Sequence, residues 1–228
     1  MSSSVITVDG PGGAGKGTLC YSLAKRLGWH MLDSGALYRV TAHAALTHSL
    51  ALDDEPALAN LAAELDLRFV AAPAGLTKVL LGGIDITADI RTEDCGAAAS
   101  QVAALPLVRQ ALLQRQRDMA VDPGLVADGR DMGTVVFPEA PLKIYLTASA
   151  LARAKRREAQ LKEAQGGDTL ARLLETIEER DERDRNRSES PLVPADDAII
   201  IDSTDVSAEK VLETVLAEAE KRGLQAAE

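Results

Sequence analysis

The segment Val5-Ile-Thr-Val-Asp-Gly-Pro-Gly-Gly-Ala-Gly-Lys-Gly-Thr18 constrains this chain more than any other. Gly10, Gly15 and Lys16 match the spacing G-x-x-x-x-G-K, directly after a short apolar strand and at the opening of a helical pattern. Glycines at these positions let successive backbone N–H groups curl around phosphate oxygens, with the positive end of the following helix behind them. Gly10, Pro11, Gly12, Gly13, Ala14, Gly15, Lys16, Gly17 and Thr18 are therefore the expected phosphate-binding residues, and Lys16 reaches for the β- and γ-phosphates of a nucleoside triphosphate. Gly17 separates Lys16 from the first hydroxyl, so Thr18 is the residue from which a hydroxyl approaches Mg²⁺. Asp9 ends the strand beside the loop and receives no role. A glycine-rich turn with a surface lysine is the alternative, and it leaves the flanking strand and helix unexplained.

Short apolar runs alternate with long amphipathic stretches along the chain. Strands are expected at Val5–Val8, His30–Leu32, Leu125–Ala127, Lys143–Leu146 and Ala198–Ile201. Helical patterns cover about Gly15–Leu27, Ala36–Thr47, Pro106–Met119, Ala148–Ala164, Leu170–Arg187 and Ser207–Arg222. Buried strands alternating with helices predict an α/β fold, a P-loop parallel sheet with helices on both faces. Two regions break the alternation. The runs Leu67–Val70, Lys78–Leu81 and Ile84–Ile86, separated by Gly75 and by Gly82-Gly83, predict a small antiparallel meander. Ala148–Pro194 is dense in charge and reads as a helical arm.

Composition narrows the partners. With 46% hydrophobic residues in 228 the chain can build a core, while 3% aromatics leave little for stacking on nucleic-acid bases. The formal net charge of -10 repels polyanions, so phosphate binding must come from local geometry. Cys20 and Cys95 form no metal-binding or disulfide pattern, and Cys20 lies on an apolar helical face. Met1–Ser4 shows no secretory pattern, and no apolar run approaches the roughly 20 residues of a membrane span. The expectation is a cytoplasmic monomer with no nucleic-acid or membrane partner.

Further charged segments sit where ligands bind in such folds. Leu125-Val-Ala-Asp128 is an apolar strand ending in a carboxylate, the shape that positions Mg²⁺ directly or through water. Arg130 and Asp131 follow at its carboxyl end, where α/β sheets place ligands; a glycine turn with a local Arg–Asp pair is the competing reading. Asp33-Ser-Gly also follows a strand, and Ser34 with Gly35 reads equally as a helix cap and as a substrate contact. Arg39 lies one turn on, within reach of a phosphate. In the arm, Leu170, Leu173, Leu174 and Ile177 form an apolar stripe whose face continues into Arg180, Asp181, Asp184 and Arg187. Arginines turned toward the protein need anionic partners. A solvated helix with i,i+4 pairs accounts for Glu178, Glu179 and Glu182 better than for Arg180, Arg185 and Arg187. Pro191 and Pro194 end the arm.

The loop resembles that of the nucleoside monophosphate kinases, and further segments sharpen the resemblance to the cytidylate kinase family. They are Asp33-Ser-Gly-Ala-Leu-Tyr-Arg39, Arg91-Thr92, Ala99-Ser-Gln-Val-Ala103, Ala127-Asp-Gly-Arg-Asp-Met-Gly-Thr134 and Arg180-Asp-Glu-Arg-Asp-Arg-Asn-Arg187. The resemblance implies a single kinase domain over 1–228, with a monophosphate-binding region near 33–105 that includes the meander at 67–90, and a lid near 150–194. It implies ATP-dependent phosphorylation of CMP and dCMP, with Mg²⁺. Lys16, Arg130, Arg180 and Arg185 become the catalytic group. Lys16 serves the ATP phosphates, Thr18 and Asp128 serve Mg²⁺, Arg39 and Arg130 hold the acceptor phosphate, and Arg180 with Arg185 neutralise the transferring group. Ser34 and Tyr38 are further substrate contacts, and Asp184 and Arg187 lie near the acceptor sugar. Ser100, Arg109 and Asp131 are implied to read the cytosine. A carboxylate accepts from the exocyclic amine of cytosine but faces a carbonyl oxygen in uracil. Arg109 is able to donate to the N3/O2 edge, and Ser100 suits either partner.

The attacking phosphate oxygen is already ionised, so transfer needs positioning and charge neutralisation rather than a strong base. The chain accordingly shows no obvious His/Asp or Cys/His pair. Rival readings are a kinase for UMP/CMP, shikimate or gluconate, and a GTP-dependent switch. The meander favours the cytidylate branch, and the switch's N-K-x-D motif is absent. Adenine is expected around Asp202-Ser-Thr204.

Overall fold

The structure, a computed structural model, describes residues 4–70, 78–163 and 169–226, so Gly75 and Ala164 lie outside the described residues. The chain forms two compact units, Met1–Leu32 with Met119–Glu228, and Asp33–Asp118.

The first unit is built on five strands: β1 (Val5–Asp9), β2 (His30–Asp33), β6 (Leu125–Gly129), β7 (Leu142–Thr147) and β8 (Ile199–Asp202), in the order β2-β6-β1-β7-β8. β1 runs parallel to β6 and β7, with Asp9 level with Gly129 and Tyr145, and β8 runs parallel to β7. Side chains alternate along a strand. Ile6, Val8, Val126, Leu142, Ile144 and Leu146 accordingly share one face, packed against α1 (Lys16–Leu27) and α8 (Ala208–Lys221). From α1 come Leu19, Cys20, Leu23 and Leu27, and from α8 come Val211, Val215 and Ala219. The intervening residues Thr7, Asp9 and Lys143 are also buried, so the opposite face carries polar groups in the interior. A π-helical turn at Met132–Val136, which no periodicity in the sequence marks, follows β6. The charged arm consists of α6 (Ala150–Glu163) and α7 (Leu170–Arg185). In α7 Leu173, Asp181 and Asp184 are buried, so the apolar stripe does become a charged one along a single face. The helix stops at Arg185, with Asn186 as its C-cap, and Arg187 turns back to donate to Ser190 O at 2.8 Å.

The second unit contains α2 (Ser34–Thr47), α3 (Glu55–Glu64), β3 (Leu67–Val70), β4 (Lys78–Leu81), β5 (Ile84–Asp85), α4 (Glu93–Val102) and α5 (Pro106–Arg117). The three strands form the expected antiparallel sheet. Gly82 and Gly83 both have positive φ (56° and 82°), as a two-residue hairpin turn requires. Val79, Ile86, Ile90 and Cys95 pack with Ala36, Val40 and Ala44 of α2 into this unit's own core. The helices α3 and α4, both short and rich in alanine, are additions to the sequence expectation. Asp54 and Thr92 cap them by accepting from Ala57 N and Cys95 N. Among the described residues no helix is long and apolar enough to cross a membrane.

Candidate active site

The phosphate loop spans from the end of β1 to the start of α1. Gly10 has φ 145°, and a Cβ there would stand 2.0 Å from Leu146 O of β7, so only glycine lets the loop leave the sheet this closely. Gly15 is the N-cap of α1, with no side-chain cap and no acidic residue in the first turn. The first N–H groups of the helix therefore remain open to an anion. Lys16 is buried, donates from Nζ to Pro11 O at 3.1 Å and lies 3.6 Å from Asp128 Oδ1. Burial pushes its ammonium below the usual lysine range, against the pull of Asp128.

The loop carbonyls are fastened from behind. Arg153 donates to Gly12 O at 3.0 Å, Arg156 to Ala14 O at 3.3 Å, and Ser203 Oγ to Ala14 O at 2.9 Å. Turning these carbonyls outward leaves the loop N–H groups for phosphate. Of the three, Ser203 lies in the Asp202-Ser-Thr204 segment expected near adenine, while Arg153 and Arg156 were not singled out from the sequence. The legible signal was two arginines three residues apart on the helix after β7.

Three predicted cations converge at this loop. Arg130 Nη2 and Arg180 Nη1 lie 3.5 and 3.8 Å from where a Cβ on Gly12 would stand, and both guanidiniums bear electrostatically on Lys16. Arg130 Nε donates to Asp184 Oδ2 at 2.6 Å. Burial alone would weaken the charge on both partners, but the pair outweighs it. The Arg130 guanidinium is held above its usual value and the Asp184 carboxyl below its own. On the same helix face Asp181 accepts both guanidinium nitrogens of Arg153, and both side chains are buried. Arg185 reaches Asp181 at 3.5 Å while remaining 63% exposed. A polar cavity of about 750 Å³, lined by Pro11, Tyr145, Arg153, Asp181, Arg185 and Asn186 among others, lies beside the loop.

Behind the Arg130–Asp131 segment, Asp9 accepts from Met132 N and Gly133 N, each at 2.8 Å. Burial raises its carboxyl from 3.8 to about 7, against the lowering by these two bonds, with Asp131 adding to the rise. The folded state thus binds this proton more tightly than the unfolded chain. The stabilisation is complete below the unfolded value and is lost as pH rises through about 7. Between pH 5 and 8 the unfolding free energy of the wild type should fall by about 2–3 kcal/mol relative to Asp9→Asn, read from denaturant titrations of both proteins.

The residues expected to contact the acceptor in the second unit are ordered by their own partners. Asp33, not Ser34 or Gly35, caps α2, accepting from Ala36 N at 3.0 Å. Ser34 Oγ instead donates to Gln116 Oε1 at 2.6 Å. Arg39 donates to Ile90 O at 2.8 Å and Thr92 O at 3.2 Å, and its guanidinium lies against Gly96. Arg109 stacks over the Tyr38 ring at 5.5 Å and donates to Ala103 O at 3.0 Å. Ser100 is 4% exposed, and its Oγ has no hydrogen-bond partner among the described residues, as expected of a group that a ligand completes.

The oxygens at hand suit a hard divalent cation. Asp128 Oδ2 lies 3.7 Å from the Cβ position of Gly17, next to the exposed Thr18. Mg²⁺ is commonly held by one or two carboxylates, waters and substrate phosphates. Among the described residues no cluster of three His, Cys, Asp or Glu forms a dedicated metal cage, so the nucleotide would supply the remaining ligands.

A family model described as Cytidylate kinase matches residues 6–221. Cytidylate kinase of Pseudomonas aeruginosa (strain LESB58) is 59% identical over 221 residues, covering 96% of both chains. That of Shewanella frigidimarina (strain NCIMB 400) is 59% identical over 215 residues and 94% of both chains. That of Klebsiella pneumoniae (strain 342) is 56% identical over 218 residues and 96% of both chains.

Proposed function

We infer the reaction from one premise, that the chain belongs to the cytidylate kinase family: it transfers the γ-phosphoryl group of ATP to CMP or dCMP, giving CDP or dCDP. The observation that carries the mechanism is the convergence of Lys16, Arg130 and Arg180 on the phosphate loop. Three cations in a partly desolvated site suit the charge that spreads over the phosphoryl oxygens during in-line transfer.

In this reading the N–H groups of the loop cradle the ATP phosphates and Lys16 neutralises the β- and γ-phosphates. Arg130 and Arg39 bind the acceptor phosphate, whose ionised oxygen attacks without a general base. Arg180 and Arg185 from the arm neutralise the transferring group, and the arm excludes water as a lid. Mg²⁺ bound with ATP would be held by Thr18 and Asp128 and would supply positive charge to the ATP phosphates. Asp184 and Arg187 serve the acceptor sugar, while Ser34 and Tyr38 help to hold the acceptor. Residues 33–105 form the monophosphate-binding region and 150–194 the lid of a single catalytic domain. Ser203, tied to Ala14 O, supports adenine placement around Asp202–Thr204. The enzyme works as a cytoplasmic monomer.

Ser100, Arg109 and Asp131 read the cytosine. The unsatisfied Ser100 hydroxyl and the Tyr38-stacked Arg109 support this assignment. Asp131→Asn replaces an acceptor for the cytosine amine with a group that also tolerates the uracil carbonyl. The CMP/UMP ratio of kcat/KM should drop about 10- to 100-fold, with the KM for ATP within about threefold of wild type. An unchanged ratio would remove Asp131 from base reading.

A further inference from the structure

Asp9 sits at the last position of β1, immediately before the phosphate loop, and is 4% exposed. Both of its carboxylate oxygens are used by two successive N–H groups of one turn. Oδ1 accepts from Met132 N and Oδ2 from Gly133 N, each at 2.8 Å. These N–H groups open the π-helical turn Met132–Val136, so the residues directly before them, Arg130 and Asp131, are carried on the fastened segment. A second observation shows how closely that turn sits on the sheet. A Cβ on Gly133 would stand 2.9 Å from Thr7 Oγ1, 3.1 Å from Lys143 Cδ and 3.3 Å from Asp9 Oδ2. Thr7 is fully buried, so the turn has no slack on the side of β1 and β7.

We propose that Asp9 is a positioning residue for acceptor discrimination: by holding the Met132 and Gly133 N–H groups it fixes the height and direction of the turn that presents Arg130 and Asp131 to the acceptor. The proposal rests on the reading that Asp131 meets the base. Two adjacent N–H donors require two acceptor oxygens, which a carboxylate offers and an amide does not. An asparagine here keeps the shape of aspartate but turns an NH₂ toward one of the donors. The phosphate loop has fasteners of its own, Arg153 on Gly12 O and Arg156 with Ser203 on Ala14 O. Loosening Asp9 therefore frees the acceptor-reading turn rather than the ATP loop. The charged groups that bear on Asp9 are Asp131 and Lys16, with the Lys143 stem packed against the same turn.

The test compares Asp9→Asn, Gly133→Ala, Asp131→Asn and the double variant Asp9→Asn/Asp131→Asn. Initial rates are measured with CMP and UMP at saturating ATP, and with ATP at saturating CMP, on protein whose melting curve shows it folded. Asp9→Asn should raise the KM for CMP about 10-fold and lower the CMP/UMP ratio of kcat/KM by a similar factor, leaving the KM for ATP within about twofold. Gly133→Ala, which displaces the same turn while leaving Asp9 itself unchanged, should shift the ratio in the same direction. In the Asp131→Asn background the Asp9 change should produce no further loss of the ratio, because both act through one contact. A loss that merely reflects weaker folding would leave the ratio intact and add in the double variant. The proposal is overturned by an unchanged ratio in folded Asp9→Asn, by additive losses, or by a rise in the KM for ATP equal to that for CMP. If Asp131→Asn alone leaves the ratio unchanged, the base reading fails and the proposal falls with it. If Asp131→Asn lowers the ratio and Asp9→Asn does not, the positioning role alone is wrong.

Discussion

Lys16→Met lowers kcat about 10³-fold while leaving the melting temperature unchanged or slightly higher. Methionine keeps most of the length and apolar bulk of the lysine stem. What it removes is a buried ammonium 3.6 Å from Asp128 and 3.1 Å from Pro11 O. In the unliganded protein that charge is costly, since burial already pushes the lysine toward its neutral form. The same desolvation makes it effective once the phosphate oxygens arrive, because few waters then compete for them. Stability and catalysis should therefore separate. Steady-state rates with ATP and CMP, set beside a thermal melt, measure both. A loss of kcat smaller than about 10-fold would mean that Lys16 does not face the transferring group.

Asp181→Ala should be the most destabilising single change in the arm. It removes the partner of Arg153, whose guanidinium would remain buried against Ala148 O and Gly12 O with its charge uncompensated. Breaking a buried pair from one side costs about 3–5 kcal/mol. For a chain of this size that is about 10 °C in melting temperature, measurable by calorimetry. The double variant Arg153→Met/Asp181→Leu should recover more than half of the loss, because it removes the desolvated charges together. The pair also joins α7 to the carbonyl side of the phosphate loop, so Asp181→Ala should raise the KM for ATP as well. A melting temperature within about 3 °C of wild type would show that Arg153 finds another partner or rehydrates.

These two residues also mark where the sequence became hard to read. Lys16 is legible because G-x-x-x-x-G-K after a strand has few other physical uses. Asp128 is legible for a similar reason, an apolar strand ending in a carboxylate. The inward turn of Arg180 and Asp184 followed from the helical period of Leu170, Leu173 and Ile177, and Leu173, Asp181 and Asp184 are indeed buried. The exchange of partners was not visible. Arg130 pairs with Asp184 across 54 positions and Arg153 with Asp181 across 28, and no local pattern encodes which arginine meets which carboxylate. Asp9 had no assigned role because its partners are backbone N–H groups at positions 132 and 133, which any residues there would supply. The π-helical turn and the helices α3 and α4 also escaped; α3 and α4 are only ten residues long and rich in alanine, so few large apolar residues mark their period. Ser34 was read as a possible cap, but Asp33 takes the cap and Ser34 bonds to Gln116. Short polar residues next to each other compete for the same N–H group, and sequence does not decide between them.

Base choice is the centre of the functional account, and a panel of acceptors tests it most directly. Purified protein is given ATP and Mg²⁺ with CMP, dCMP, UMP, AMP, GMP, shikimate or gluconate, and ADP release is followed together with the phosphorylated product. The expected result is rapid ADP formation with CMP and dCMP, yielding CDP and dCDP, and rates at least about 10-fold lower in kcat/KM with every other acceptor. Equal rates with UMP or AMP, or ADP release that does not depend on any acceptor, would contradict it.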